Sequence, residues 1–195
     1  MKSFTRQTRP SGHASCPLPR RGIATVWIIA SIPAIFTLLI LLTDVGSLWQ
    51  ARAELETALE SAALAAVKEW KATNNTNLAR IAAQNFSKAN TVLGNPVILS
   101  SNGGGGGTND NSMCDGDIVL GNITSANDFL ASVAPNSTNY YGARIRCTKE
   151  VPSLWKQFAG VSFGPYVVHA ESIARLQFDP GGTPRLVRPR SFTCP

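Results

Sequence analysis

Arg20-Arg21-Gly22-Ile23-Ala24-Thr25-Val26-Trp27-Ile28-Ile29-Ala30-Ser31-Ile32-Pro33-Ala34-Ile35-Phe36-Thr37-Leu38-Leu39-Ile40-Leu41-Leu42-Thr43-Asp44 decides the architecture of this chain. No charged side chain interrupts it between Arg21 and Asp44. As an α-helix, Ile23 to Thr43 rises by roughly 31 Å, enough to cross the hydrocarbon core of a bilayer. A cleavable secretory signal has a shorter apolar region, about 7–15 residues, ending at a small-x-small site. Here the run is longer and continues into Thr43-Asp44-Val45-Gly46, so it reads as an uncleaved signal anchor. Pro33 removes the hydrogen bond to the carbonyl of Ile29 and predicts a kink, which a membrane helix tolerates. Ser31 and Thr37 can bond back to their own backbone and need not mark a transport path.

Upstream, residues 1–22 form a basic leader rich in Arg, Ser, Pro and Gly, with Lys2, Arg6, Arg9, Arg20 and Arg21 and no acid. The net charge of +6 is concentrated there, leaving thirteen basic against twelve acidic side chains beyond Thr43. The high pI therefore reports topology and gives no ground for expecting a nucleic-acid partner. The positive-inside rule places the leader in the cytoplasm and the rest of the chain outside. Membrane lipid is the first expected partner.

Downstream, the helical pattern continues and turns amphipathic. Leu48, Leu55, Leu59, Ala62, Ala63, Ala66 and Trp70 recur at helical spacings, with Arg52, Glu56, Glu60 and Lys68 on or near the other face. Such an alanine-rich stripe can pack on the chain's own globular domain or bundle with further copies, and the pattern is compatible with both. Trp49 is placed to anchor at the interface.

These residues resemble the N-terminal region of TadE/TadG-like Flp pilus-assembly proteins. The resemblance rests on Arg21-Gly22 before the apolar run, Pro33 within it, and Asp44-x-Gly46 at its outer end. Arg52, Leu55 and the run Glu60-Ser61-Ala62-Ala63-Leu64-Ala65-Ala66 follow, Glu60 standing where the family has Asp. Prepilins that are processed carry Glu five residues after the cleaved Gly, and that position here is Trp27. The resemblance is thus closer to TadG-like members. It implies a single-pass protein of the bacterial inner membrane that contacts pilus or secretion-machinery proteins, or copies of itself.

The remaining sequence predicts a modest extracytoplasmic domain. Asn77 to Lys88 reads as a short helix with Leu78, Ile81, Ala82 and Phe86 on its apolar side, ended by the turn Gly94-Asn95-Pro96. Val97-Ile98-Leu99, Asp117 to Leu120 and Ala143 to Cys147 read as strands, the last with Arg144 and Arg146 facing water. Val168 to Phe178 alternates best and predicts the central strand of an antiparallel sheet, with His169 and Glu171 close enough for an ion pair. Ser153 to Ala159 reads as a short helix capped by Ser153. The glycines at 101–112 lack the Lys-Ser/Thr of a phosphate loop and read as a flexible connection.

The organisation expected is α+β: a leader over 1–22, a transmembrane helix over 23–43, and a helical stalk with a second short helix over 44–90. An extracytoplasmic domain over 91–178 with an antiparallel sheet follows, and then a Pro/Arg-rich tail over 179–195. Cys114 and Cys147 each adjoin a predicted strand and form the favoured disulfide, with free thiols as the alternative. Asp110, Asp115 and Asp117 do not fit an EF-hand, and no C-x-x-C spacing suggests zinc. No nucleophile elbow, metal-binding helix or dinucleotide fingerprint occurs. The reading is a protein that acts by contact, without cofactor or metal. A signal-anchored enzyme or an adhesion or sensing module stands as the alternative.

Overall fold

The computed structural model describes residues 21–100, 116–131, 139–153, 165–177 and 181–193. Leader residues 1–20, Cys114, Cys194, the 101–112 connection and the expected helix beyond Ser153 lie outside them. The fold is α+β. Helix α1, Arg21–Thr73, contains the whole apolar run, and α2, Thr76–Ala89, follows it. The chain divides into two compact units, Met1–Leu39 and Ile40–Pro195.

In the first unit α1 is apolar on every side and covered on none: Val26, Trp27, Ile28, Ile32, Ile35 and Phe36 are all exposed. A helix hydrophobic all round and buried by no protein is built for lipid. The helix is continuous through Pro33. Ser31 donates back to the Ile28 carbonyl at 2.9 Å, the local satisfaction its position predicts.

In the second unit the amphipathic stripe of α1 becomes the spine of the core. Ala51, Leu55, Ala58, Leu59, Ala62, Ala63, Ala66 and Val67 are completely buried, and Trp70 nearly so. The stripe therefore packs on its own domain, and there is no free-standing stalk. Helix α2 starts at an Asn75 cap, whose side-chain oxygen accepts from the backbone of Asn77 and Leu78. Its buried side is Ala79, Arg80, Ala83 and Ser87. That reverses the expectation: Leu78, Ile81 and Phe86 are exposed. Small residues let α2 lie close to its neighbours, so packing distance overrides apolar content.

Between Asn90 and Leu99 the chain makes a two-residue hairpin, with β1 (Thr91–Val92) antiparallel to β2 (Asn95–Pro96). Its turn residues, Leu93 and Gly94, both have positive φ, as a type I′ turn requires. Val97 and Leu99 are buried and Ile98 is exposed, but this stretch joins no ladder and is not the strand expected. Its backbone is used otherwise: the Leu99 carbonyl accepts from Gln84, and Ser100 donates to Asp117.

The main sheet has six strands in the order β7-β6-β5-β3-β4-β8: Ile118–Ile123 (β3), Asp128–Ala131 (β4), Tyr140–Val151 (β5), Tyr166–Leu176 (β6), Arg185–Leu186 (β7) and Ser191–Thr193 (β8). All pairs are antiparallel except β4 with β8. The two central strands are β5 and β3, so β6, expected at the centre, stands one strand from the edge, although its ladder with β5 is the longest in the sheet. The expected tail is also corrected, because it supplies β7 and β8, the short outermost strands of the sheet. Val187 and Phe192 pack over a second small core of Val119, Ile123, Phe129, Ala131 and Ile173. Phe192 stacks on Phe129 with ring centroids 5.3 Å apart.

Cross-strand partners Gly121 and Gly142 lie beneath this second core. A Cβ on Gly142 would meet Ile123 at 2.8 Å and the Phe129 ring at 3.0 Å, so the bare backbone is the floor on which the ring rests.

The helix and the sheet are matched in length. Near one end Trp70 meets Tyr141 edge-on at 5.2 Å, and near the other Ser153 meets Asp44. Roughly 39 Å of helix separates Asp44 from Trp70, and roughly 40 Å of strand separates Tyr141 from Ser153. Strand β5 thus runs antiparallel to α1 along its whole packed length.

Candidate functional site

A buried polar contact lies where the apolar run gives way to the amphipathic part of α1. Asp44, the first acid after the run, is only 3% exposed. Its carboxylate accepts the Ser153 hydroxyl at 2.7 Å, and its own carbonyl accepts from Ser47 at 2.8 Å. Burial of a carboxylate is costly unless it is hydrogen-bonded, so this contact fixes where α1 enters the domain. Sequence reasoning placed Asp44 at the boundary but missed its partner. Ser153 read as a helix cap, and nothing local links positions 109 residues apart.

The other motif residues separate by role. Arg21 and Gly22 stand at the start of α1, and Pro33 lies within its lipid-type segment. Gly46 is exposed, and a Cβ there would touch nothing within 4 Å. Arg52 forms an exposed ion pair with Glu56 at 3.0 Å, a geometry worth a few tenths of a kcal/mol. Leu55, Ala62, Ala63 and Ala66 are core, Leu64 and Ala65 are half-buried, and Glu60 is exposed. From Leu55 to Ala66 the motif thus serves packing, Glu60 excepted.

Glu54, absent from the sequence reading, holds the hairpin. Its carboxylate accepts from Gln50 at 2.8 Å and from the Leu93 backbone N–H at 2.6 Å. Those bonds favour the charged form and lower its pKa. Leu93 needs the support, because a branched side chain at φ +49° is strained by about 1–2 kcal/mol.

The expected His169–Glu171 pair is replaced by two cross-strand contacts. Glu171 binds Arg144 at 2.7 Å, and His169 shares a 2.8 Å hydrogen bond with Thr148. Arg144 does not face water as expected: its side chain is 14% exposed and its guanidinium lies 4.2 Å from the Phe192 ring centre. Arg146 donates to the Gly116 carbonyl.

An open hollow of about 680 Å³ adjoins Asp117, Arg146, Cys147 and His169. Cys147 is a free thiol, half-buried, and Cys114, its expected partner, lies outside the described residues. Burial foremost, and then the Asp117 charge, push its pKa up, which leaves a poor nucleophile. Among the described residues no group of three or more His, Cys, Asp or Glu could hold a metal ion.

No curated protein and no solved structure matches the chain significantly. Among the described residues one helix, Ala24–Thr73, is long and apolar enough to cross a membrane. Residues 22–74 match the family described as "Putative Flp pilus-assembly TadE/G-like", a stretch that coincides with α1.

Proposed function

We propose that the protein is a single-pass component of a Flp-type pilus-assembly or secretion apparatus, held in the bacterial inner membrane and acting by protein–protein contact. The observation that carries this reading is the family match over residues 22–74, coincident with a helix exposed all round at one end and buried in a domain at the other. The basic leader supports a cytoplasmic N-terminus and an extracytoplasmic domain. A role in contact rather than catalysis accords with a site whose polar groups are spent on structure: Asp44 on Ser153, Glu54 on Leu93, and Glu171 on Arg144. Trp27, five residues after Gly22, favours a permanent anchor over a processed subunit.

Photo-cross-linking tests this reading. A benzoylphenylalanine at exposed Phe86 or Ile98 of the full-length protein, in cells that assemble the pilus, is expected to capture pilus or secretion-machinery proteins. Recovery of none from either position overturns the assignment.

A further inference from the structure

Strand β6 is paired on both sides over only part of its length. On one side it follows β5 from Tyr166 to Leu176. On the other, β7 covers Ala174 and Arg175 alone, and the Val187 N–H reaches the Ile173 carbonyl. That last bond fixes the direction of the backbone. Because successive residues alternate, Val167, His169 and Glu171 point their N–H and C=O groups away from β5 as Ile173 does. Among the described residues nothing pairs with them. The open edge, Tyr166–Ser172, is roughly 23 Å long. It contains neither Lys nor Pro, two of the devices that blunt sheet edges against added strands.

The edge also has a wall. Hollows of about 750 and 320 Å³ follow one another along it, and both are lined by Glu56 of α1. At the Val167 end the wall is Leu48, the exposed Trp49 and Arg52, whose charge is paired with Glu56. At the Glu171 end it is Glu56 and Glu60, with Arg188 lining the same hollow. Among the described residues Glu56 is held by exposed Arg52 alone.

From the unpaired backbone of Val167, His169 and Glu171 beside this wall, we propose that the β6 edge binds an extended segment of a partner protein by strand addition. The segment carries apolar side chains toward Trp49 and a basic side chain toward Glu56 and Glu60. Main-chain hydrogen bonds supply the attraction, and the wall supplies selectivity. The inference stands on the sheet edge and does not require the pilus reading.

The test uses the full chain in lipid nanodiscs and a fluorescent octapeptide with Thr at alternate positions and, at the positions between, Val in one half and Lys in the other, so that one face carries both the apolar and the basic side chains. Saturable binding is expected, weakened about tenfold or more by N-methylation of alternate peptide amides. Glu60→Lys, or Glu in place of the peptide's Lys, is expected to weaken it similarly. Val167→Pro deletes an outward N–H that the sheet does not use, so it is expected to abolish binding while leaving the circular dichroism unchanged. Absence of saturable binding overturns the proposal, as does binding indifferent to Val167→Pro or to peptide N-methylation. Concentration-dependent dimerisation that Val167→Pro abolishes also overturns it, because a second copy then occupies the edge. If Val167→Pro misfolds, the N-methylated peptide and Glu60→Lys decide alone.

Discussion

The carboxylate of Asp44 and the hydroxyl of Ser153 meet at 2.7 Å across 109 residues of sequence, joining the start of the packed part of α1 to the chain just past β5. Both are buried, so the contact is made away from water, where a hydrogen bond to a charged group is worth about 1.5–3 kcal/mol. Ser153→Ala is expected to destabilise the domain by about that amount. Asp44→Ala is expected to cost more, because Asp44 makes further contacts. Denaturant unfolding of nanodisc-reconstituted protein, followed by near-ultraviolet circular dichroism, measures both; a loss below about 0.5 kcal/mol for either would show that the contact does not hold the helix.

Glu54 gives the hairpin a pH dependence. Its pKa is lowered in the folded protein, first by the Gln50 amide and then by the Leu93 N–H, so the folded state prefers the carboxylate. The stabilisation is present above the unfolded value of about 4.3 and is lost as pH falls through the lower folded value. Glu54→Gln is therefore expected to be less stable than wild type at pH 7 and to lose that deficit as pH falls through the lowered folded value. A deficit independent of pH would place the effect elsewhere.

Gly142 carries a steric prediction. An added methyl must displace Ile123 or the Phe129 ring, and overpacking of this kind costs about 1–3 kcal/mol. Gly142→Ala is expected to lower stability within that range, and Phe129→Leu in the same chain is expected to recover part of the loss. Additive losses in this double-mutant cycle would contradict the packing described.

Helix α2 offers a direct contrast between its two faces. Ile81→Ser, at a side chain 50% exposed, is expected to change stability by less than about 0.5 kcal/mol. Ala83→Leu, at a fully buried position, is expected to cost about 1–3 kcal/mol. The reverse ranking would restore the face that apolar content alone suggests.

How far the sequence carried the architecture follows from the range of each interaction. The apolar run, the amphipathic continuation from Leu48 to Trp70 and the strand around Ala170 were legible, because periodicity is local and strong. The α2 face was misread because Ala79 and Ala83 are buried for closeness, which a count of apolar side chains cannot detect. Short strands β7 and β8 were hidden among Pro and Arg, since two or three residues carry no periodic signal. The partners of Asp44, Glu54 and Glu171 depend on tertiary register and could not be read locally. Leu93-Gly94 was the one hairpin signal available, weakened by a leucine where Asn or Asp is usual.

If α1 both crosses the membrane and forms the spine of a domain outside it, the two ends of the chain lie on opposite sides of the bilayer. Protease treatment of spheroplasts, with epitopes fused before Met1 and after Pro195, tests it most directly. The C-terminal epitope is expected to be digested from outside, while the N-terminal epitope survives on a fragment that resists carbonate extraction. Protection of the C-terminal epitope in intact spheroplasts, or release of the protein by carbonate, would contradict it.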